Sequence, residues 1–331
     1  MPASIILRGL GAYAPAKRLS NDDLTHLVDT SDEWIRSRTG ISERRVAAHL
    51  ENASDMGVEA ARKALAQANL TPADVDLLIV GTMTPDLPFP STACLIQNKL
   101  GLRPIPAFDV GAACSGFLYI LDIGTAMLRQ GPYRNALVIG AEKMSAVLDW
   151  QDRTTCVLFG DGAGAAVLTP SAEKDAGVMG SVLRTDGGDM RLLHMPGGGS
   201  ACPATHASVD ERKHYLKMNG KEVFKIAVRE MEQVLRDLLA QHHVTAAQIA
   251  CVVPHQANIR IIEALAQRLE LPLDRFVINI DRYGNTSAAS IPLALAEAQE
   301  AGRLRAGEYV ALVAFGAGLT WGATLLKWHT T

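Results

Sequence analysis

The two halves of the chain repeat the same order of sequence patterns. In each half, an alanine- and leucine-rich helical pattern leads through a threonine-containing turn into a short apolar run typical of a buried strand. Three further pairs of segments follow in the same order. The four pairs are residues 60–80 and 234–253, 105–121 and 276–296, 135–140 and 309–314, and 159–164 and 315–318. Because chance does not explain four matches in one order, we predict two copies of one unit.

Alternating helical and strand patterns predict an α/β protein with central sheets layered between helices. We predict an N-terminal half, residues 1–170, and a C-terminal half, residues 171–331, that pack as one body. A site shared by the copies is expected where they meet. The most irregular segment, residues 186–209, is predicted to be a long loop of functional importance.

Charge and cysteine usage exclude several classes of protein. A net charge of −3 argues against a general nucleic-acid binder, and no apolar run is long enough to span a membrane. The five cysteines are scattered without a Cys-x-x-Cys pair, so neither a structural zinc site nor a disulfide framework is predicted. Because the start at residues 1–4 also lacks a secretory pattern, we expect a cytoplasmic protein.

Cys114 is the first candidate catalytic residue. It lies where the strand pattern of residues 105–110 passes into a helical pattern. A thiol at such a junction faces helix N–H groups and the positive end of the helix dipole. Both favour the thiolate, so we expect a lowered pKa and a nucleophilic side chain.

Two polar residues of the second half have similar positions. His255 follows the predicted strand at residues 249–253, and Asn285 lies at the junction that we equate with Cys114. A lone histidine is usually a satisfied polar group, and an asparagine in Gly-Asn-Thr is often a turn residue. Their shared placement with Cys114 instead favours one catalytic site made by both halves.

The chain resembles the β-ketoacyl-acyl-carrier-protein synthase III family, thiolase-fold enzymes that start type II fatty-acid synthesis. The resemblance covers nearly the whole chain and is specific because many motifs occur together. The motifs are residues 29–35, 38–45, 109–117, 159–165, 254–260, 283–292 and 320–322. The resemblance implies a thiolase-like fold, an acyltransferase activity and a homodimer.

The resemblance also implies a mechanism without a metal or cofactor, in which acyl-CoA is a substrate. Cys114 attacks the acyl-CoA primer to form an acyl-enzyme, and the amides of Cys114 and Ala317 bind the oxyanion. His255 and Asn285 stabilise the enolate that forms when malonyl-acyl carrier protein loses carbon dioxide. Similar enzymes often carry glycine at the position of Ala317, so we expect the geometry to survive if this residue needs no positive φ.

Residues that bind the substrates are implied in the same way. Trp34 and Arg153 would enclose the adenine of CoA, and Arg38 would meet its phosphates. Phe89, in an exposed loop, would enter the acyl pocket of the other subunit. The residues that would contact the pantetheine arm are Gly220 and Asn258.

A basic stripe follows from residue spacing. Lys217, Lys221, Lys225 and Arg229 recur every four residues on one predicted helix, and Arg260 on the next helix could extend the stripe. On a net-acidic protein, such a stripe suits docking of the acidic acyl carrier protein. An ordinary solvated helix face is the simpler alternative.

Several other functions fit parts of the pattern. The order Cys114, His255, Asn285 fits a papain-like protease, but the protease signature around the cysteine is absent. A degradative thiolase would need a second cysteine near the C-terminus, and none follows Cys251. Two alternatives stay open: a specialised-metabolism starter ketosynthase or acyltransferase of the same fold, and a non-catalytic subunit that binds carrier protein. The sequence does not identify the acyl primer.

Overall fold

A computed structural model of the chain describes residues 4–173 and 176–329. Residues 1–3, on which part of the expectation about location was based, lie outside these ranges. Within them, no helix has the length and apolar character that crossing a membrane would require.

Strands and helices alternate along most of the chain. The strands are β1 (Ser4–Tyr13), β2 (Arg18–Ser20), β3 (Glu43–Arg45), β4 (Leu77–Gly81), β5 (Ala107–Val110), β6 (Ala136–Lys143), β7 (Asp161–Ser171), β8 (Gly177–Thr185), β9 (Leu193–His194), β10 (Lys217–Met218), β11 (Ile249–Pro254), β12 (Tyr309–Gly316) and β13 (Thr320–Lys327). The α-helices are α1 (Asn21–Thr25), α2 (Asp32–Thr39), α3 (Ala53–Gln67), α4 (Thr92–Leu100), α5 (Gly116–Gln130), α6 (Arg153–Cys156), α7 (His206–Asp210), α8 (Gly220–Gln241), α9 (Ile259–Leu269), α10 (Ile280–Tyr283) and α11 (Ser290–Glu300).

Two mixed sheets repeat one topology. The first has the strand order β1-β7-β6-β4-β5, and the second has the order β8-β13-β12-β11. In both, the first three strands are antiparallel neighbours and the next strand joins in parallel. The predicted boundary between residues 170 and 171 falls at the end of β7, which finishes at Ser171.

The second copy departs from the first in two segments predicted to match. Residues 276–280 match the strand pattern of residues 105–110, but of these residues only Phe276 forms a bridge, to Val252, before α10 begins. The N–H group of Asn279 donates instead to the side-chain oxygen of Gln256, 3.1 Å away, so a side chain replaces the strand ladder. The fourth matched pair is also offset, because residues 161–164 open β7 whereas residues 315–316 close β12.

The helices form three layers around the two sheets. Helices α5 and α11 share one apolar core with strands of both sheets and form the central layer. Helices α3 and α4 cover the outer face of the first sheet, and α8 and α9 cover that of the second. Burial from both sides explains why α5 is apolar around most of its circumference.

The predicted loop at residues 186–209 is partly ordered by local structure. It contains β9, which pairs with β10, and the start of α7, whose N-terminus is capped by Thr205. Leu193 and Met218 of this small sheet lie over the junction between the two halves, at the cavities described below.

Candidate active site

Cys114 lies in a tight turn that is repeated in the second half. A 3-10 turn, Ala113–Ser115, leads into α5, and another, Ser287–Ala289, leads into α11. The first residue of each turn has a left-handed backbone, with φ 46° at Ala113 and 49° at Ser287. The residue equivalent to Cys114 is therefore Ala288. Asn285 precedes Ala288 by three positions and lies at the junction that we equated with that of Cys114.

The thiol of Cys114 is buried against the end of β12. A Cβ atom on Gly316 would lie 2.7 Å from the backbone nitrogen of Cys114, so only glycine fits there. Burial raises the pKa of the Cys114 thiol to about 12, while a hydrogen bond with Ser287 lowers it and the Glu142 carboxylate raises it. The predicted lowering of this pKa is wrong for the resting site, because removing water from the thiolate outweighs the helix N-terminus.

His255 follows β11 and is held as a neutral ring. Its Nδ1 lies 2.6 Å from the hydroxyl oxygen of Ser290, and its backbone N–H donates to the carbonyl of Val313, 2.8 Å away. Burial lowers the pKa of His255 to about 3, because the charged ring would lose its hydration. If Ser290 is the donor in this bond, the ring proton lies on Nε2.

The side chain of Asn285 is oriented by its own turn. Its Oδ1 accepts the N–H of Ser287 at 2.9 Å, and its backbone N–H donates to the carbonyl of Leu158 at 2.8 Å. Since Oδ1 is engaged by the backbone, the amide nitrogen Nδ2 is the end that can donate to a bound molecule.

Two cavities meet at Cys114. The first, of about 120 Å³, is lined by Cys114, His255 and Asn285, and on its outer side by residues of α8 and α9. The second, of about 130 Å³, is mostly apolar and includes Met83, Met144, Met195 and Leu216 in its wall. Cys114, Phe159 and Leu193 line both. The three predicted catalytic residues are thus brought to one cavity, with a second space on the other side of the thiol.

The candidate oxyanion donors lie at the boundary of the second cavity. Cys114 is the second residue of its 3-10 turn, where backbone N–H groups have no acceptor inside the turn. Ala317 lines the same cavity, and its φ is not positive. The alanine therefore fits its backbone conformation without strain, which answers the question raised by its departure from glycine.

The residues expected to bind CoA lie around the first cavity and above it. Gly220 and Asn258 line the cavity, and Asn258 also caps α9 and donates to the backbone carbonyl of Arg38 at 3.0 Å. The guanidinium carbon of Arg153 lies 4.9 Å from the ring centroid of Trp34. A flat base between two groups needs about 7 Å, or two contacts of ~3.5 Å, so adenine binding there requires this pair to separate.

The expected basic stripe is only partly helical. Lys221, Lys225 and Arg229 are exposed on α8, and the guanidinium of Arg260 lies 5.8 Å from the ring centroid of Phe224 on that helix. Lys217 was predicted on the same helix, but it lies in β10, ahead of the helix start at Gly220.

Two further observations concern Lys217 and the loop that carries Phe89. Asn219 caps α8, so the helix begins after Lys217. Lys217 forms an ion pair with Asp149 at 3.6 Å. Phe89 is 85% exposed and lines neither cavity, although Met83 and Thr84, earlier in the same loop, line the second.

Among the described residues, no group of His, Cys, Asp or Glu side chains is arranged to hold a metal.

Three buried polar residues at the site were not predicted from the sequence. Glu142 ends the apolar run of β6, Ser287 opens the second tight turn, and Ser290 contacts His255. A charged residue closing a buried strand was an available signal for Glu142. Ser287 and Ser290 lie in the 283–292 motif, but their spacing alone does not reveal their partners.

Comparison with known proteins identifies the family. Residues 108–187 match the family model for 3-oxoacyl-[acyl-carrier-protein] synthase III, and residues 239–328 match the model for its C-terminal part. The β-ketoacyl-[acyl-carrier-protein] synthase III of Caldanaerobacter subterraneus subsp. tengcongensis is 50% identical over 97% of this chain and 96% of its own length.

Solved structures agree with the fold. The crystal structure of 3-oxoacyl-[acyl-carrier-protein] synthase III from Aquifex aeolicus VF5 has a TM-score of 0.90 and 48% identity, covering 98% of this chain and 100% of that one. The priming β-ketosynthase from the R1128 polyketide biosynthetic pathway has a TM-score of 0.91 and 35% identity, covering 99% and 97%. These findings confirm the predicted α/β thiolase-like fold and the predicted enzyme class, an acyltransferase. The chain belongs to the β-ketoacyl-[acyl-carrier-protein] synthase III family.

Proposed function

We propose that the protein condenses an acyl-CoA primer with malonyl-acyl carrier protein to give 3-oxoacyl-acyl carrier protein, carbon dioxide and CoA, the step that initiates fatty-acid synthesis. The observation that carries the proposal is that Cys114, His255 and Asn285 line one cavity. Membership of the family supports the reaction. The reaction uses no cofactor because acyl-CoA is consumed as a substrate, and we place it in the cytoplasm.

The first half-reaction transfers the acyl group to the enzyme. The sulfur of Cys114 attacks the thioester carbon, CoA leaves as a thiolate, and the acyl chain occupies the second, apolar cavity. The oxyanion of the tetrahedral intermediate accepts hydrogen bonds from the amides of Cys114 and Ala317. The non-positive φ of Ala317 supports its role as a donor.

The second half-reaction forms the carbon–carbon bond. Nε2–H of neutral His255 and the Nδ2 group of Asn285 donate to the thioester oxygen of malonyl-acyl carrier protein. They stabilise the enolate that remains when carbon dioxide leaves, and this enolate attacks the acyl-Cys114 carbonyl. The low pKa of His255 supports this role, because an uncharged donor does not form an ion pair with the carboxylate that must depart.

Substrate binding forms a further part of the proposal. Trp34 and Arg153 separate to hold the adenine, Arg38 meets the phosphates, and Gly220 and Asn258 contact the pantetheine arm. In a homodimer, the exposed Phe89 reaches the acyl pocket of the other subunit. The residues proposed to dock the carrier protein are Lys217, Lys221, Lys225, Arg229 and Arg260.

A specialised starter enzyme is the second candidate. The similarity to the priming β-ketosynthase of the R1128 polyketide pathway, at 35% identity, favours it. A non-catalytic carrier-binding subunit is disfavoured because Cys114, His255 and Asn285 are all present.

The test separates the two half-reactions. The purified protein is mixed with acetyl-, branched and medium-chain acyl-CoAs, and the adduct is measured by intact mass before malonyl-acyl carrier protein is added. We expect an adduct that is lost in Cys114→Ala and kept in Cys94→Ser, which alters an exposed thiol. His255→Ala and Asn285→Ala should form the adduct but release little carbon dioxide. No adduct with any primer would contradict the enzyme, and a product only from an unusual primer or acceptor would favour the specialised relative.

A further inference from the structure

A buried carboxylate beside Cys114 has no part in the mechanism above. Glu142 is the second-last residue of β6 and is fully buried. Its Oε2 accepts hydrogen bonds from the Thr84 hydroxyl at 2.6 Å and from the N–H groups of Met83 and Thr84, both at 3.1 Å. Its Oε1 accepts from the hydroxyl of Ser287 at 2.9 Å. The carboxylate is thus held firmly on one side and faces the catalytic turn on the other.

Ser287 connects this carboxylate to the thiol. Its hydroxyl donates to Oε1 of Glu142, and Ser287 lines the second cavity together with Cys114, where a hydrogen bond from Ser287 lowers the pKa of the thiol. A hydroxyl has one proton and two lone pairs, so it can accept from the thiol while donating to the carboxylate, or do the reverse. Ser287 is therefore the shared neighbour of the thiol and the carboxylate.

The charges at this site favour moving a proton between these two groups. Burial raises the pKa of Glu142 and that of Cys114, because each anion loses its hydration. The carboxylate also raises the pKa of the thiol, since two neighbouring anions repel. Transfer from the thiol to the carboxylate relocates the single negative charge without adding a second one.

Other ionisable groups near Glu142 are engaged elsewhere. Lys143, next on β6, donates to the backbone carbonyls of Ala48 and His49. Asp161, opposite Lys143 on β7, accepts from Ser145 and from the N–H of Ala47. From the second tight turn and from the end of β4, the groups that contact Glu142 are hydroxyls and amides. Of the described residues, Cys114 is the ionisable group joined to Glu142 through Ser287.

We propose that Glu142 receives the Cys114 proton through Ser287 during acyl transfer and stores it until condensation. This inference rests on the proposed function. The thiol proton passes to Ser287 Oγ as the Ser287 proton passes to Oε1, and the sulfur then bonds to the acyl carbon. CoA leaves as a thiolate and takes its proton from solvent, so the acyl-enzyme holds a protonated Glu142.

Condensation returns the stored proton. The enolate formed by loss of carbon dioxide attacks the acyl carbon, and the C–S bond breaks with its electron pair on the Cys114 sulfur. Ser287 gives that sulfur its proton and is reprotonated by Glu142. The resting thiol and carboxylate are restored, and the one proton taken up overall is that of CoA. Glu142 and Ser287 are thus assigned to both half-reactions.

The test measures how the rate of Cys114 modification depends on pH. Single-turnover acylation by acyl-CoA, and alkylation by iodoacetamide, are followed from pH 6 to 10 in wild type, Glu142→Gln, Ser287→Ala and Ser287→Gly. The glycine variant removes the hydroxyl and suits the left-handed backbone of residue 287. In wild type, both rates should be nearly independent of pH between the pKa values of the carboxyl and the thiol.

In the variants, the thiol must lose its proton to solvent. Acylation at pH 7 should fall about 100-fold, the lower range of general-base effects, and should rise about tenfold per pH unit. Glu142→Asp should recover part of the pH-independent rate. Asp161→Asn is the matched control, because Asp161 is also buried, also accepts several hydrogen bonds, and its pKa is also raised by burial. It should lower thermal stability and keep the wild-type pH profile.

Three outcomes would overturn the relay. Glu142→Gln could react faster than wild type at pH 7, which would make Glu142 only a repelling charge. Its pH profile could stay flat, or Asp161→Asn could show the same altered profile. Alkylation by iodoacetamide needs no acyl substrate, so it separates failure of the proton relay from failure of the proposed function. A Glu142-dependent profile without acyl-enzyme in wild type would refute the condensing role and retain the relay.

Discussion

The close contact between Gly316 and Cys114 gives the sharpest prediction. In Gly316→Ala, the new Cβ would lie 2.7 Å from the Cys114 nitrogen and 2.9 Å from its Cβ. An ordinary contact is about 3.5 Å, so the shorter separation must open by about 0.8 Å. Neither partner is the end of a flexible side chain. The shift must therefore come from the end of β12 or from the tight turn at Ala113–Ser115.

The expected magnitude follows from these distances. Overpacking of this kind costs about 1–3 kcal/mol of folding stability. Displacing one amide donor of an oxyanion site costs roughly 10²–10³-fold in rate. We therefore expect acylation of Cys114 to fall about 100-fold, measured by stopped-flow release of CoA, together with a lower unfolding midpoint in denaturant.

Gly187→Ala is the matched control for this substitution. A Cβ at Gly187 meets no atom within 4 Å, and that residue does not have a positive φ. It should acylate like wild type. Gly316→Ala with acylation within twofold of wild type, at unchanged stability, would refute the reasoning.

Three further predictions concern charged and aromatic groups. Because burial holds the pKa of His255 near 3, the rate of carbon dioxide release should show no inflection between pH 6 and 7. An inflection in this range that disappears in His255→Gln would contradict the prediction. Hydrogen bonds from Arg212 lower the pKa of Asp149 to about 2, below its unfolded value near 3.9. The folding stability that these bonds give is therefore complete above about pH 4 and is lost as the pH falls toward 2. Asp149→Asn should remove this dependence of stability on acid, measured by denaturant unfolding at several pH values. The effect should be about 1–2 kcal/mol, because the exposure of Arg212 weakens the interaction. Unchanged acid sensitivity in the variant would count against this role of Asp149. Arg153→Ala should raise the KM for acyl-CoA about tenfold, because the guanidinium proposed to stack on the adenine opposite Trp34 is lost. An equal rise for malonyl-acyl carrier protein would exclude a specific CoA site.

The features predictable from the sequence were those encoded locally or repeated. The duplicated pattern indicated the sheets, and strand ends followed by Cys114 or His255 indicated the shared site. Lys217 was misplaced because a four-residue spacing continues past a helix start, and only the cap at Asn219 marks where α8 begins. Residues 276–280 match the strand pattern of residues 105–110 but do not continue the second sheet. The N–H of Asn279 bonds to the side chain of Gln256 in place of a neighbouring strand.

The electrostatics of the site could not be predicted because they depend on distant contacts. The pKa of Cys114 is set mainly by burial beneath β12 and beside Glu142, neither of which is a sequence neighbour. The bond between Glu142 and Ser287 joins residues 145 positions apart. A local pattern can indicate a helix N-terminus at the thiol, but it does not indicate the water excluded by the rest of the fold.

The paired tight turns make reactivity dependent on completed folding. Cys114 belongs to the first copy, but its turn is tied to the second by the bonds from Ser115 to the carbonyl of Thr320, 3.1 Å, and from Thr320 to the carbonyl of Ala112, 3.0 Å. Ser287 comes from that second copy as well. A nascent chain that has formed only its first sheet therefore carries the nucleophile without its hydroxyl partner or the groups proposed for condensation. Acyl transfer to this cysteine becomes a late event in the life of the chain, available only after the last strands have docked.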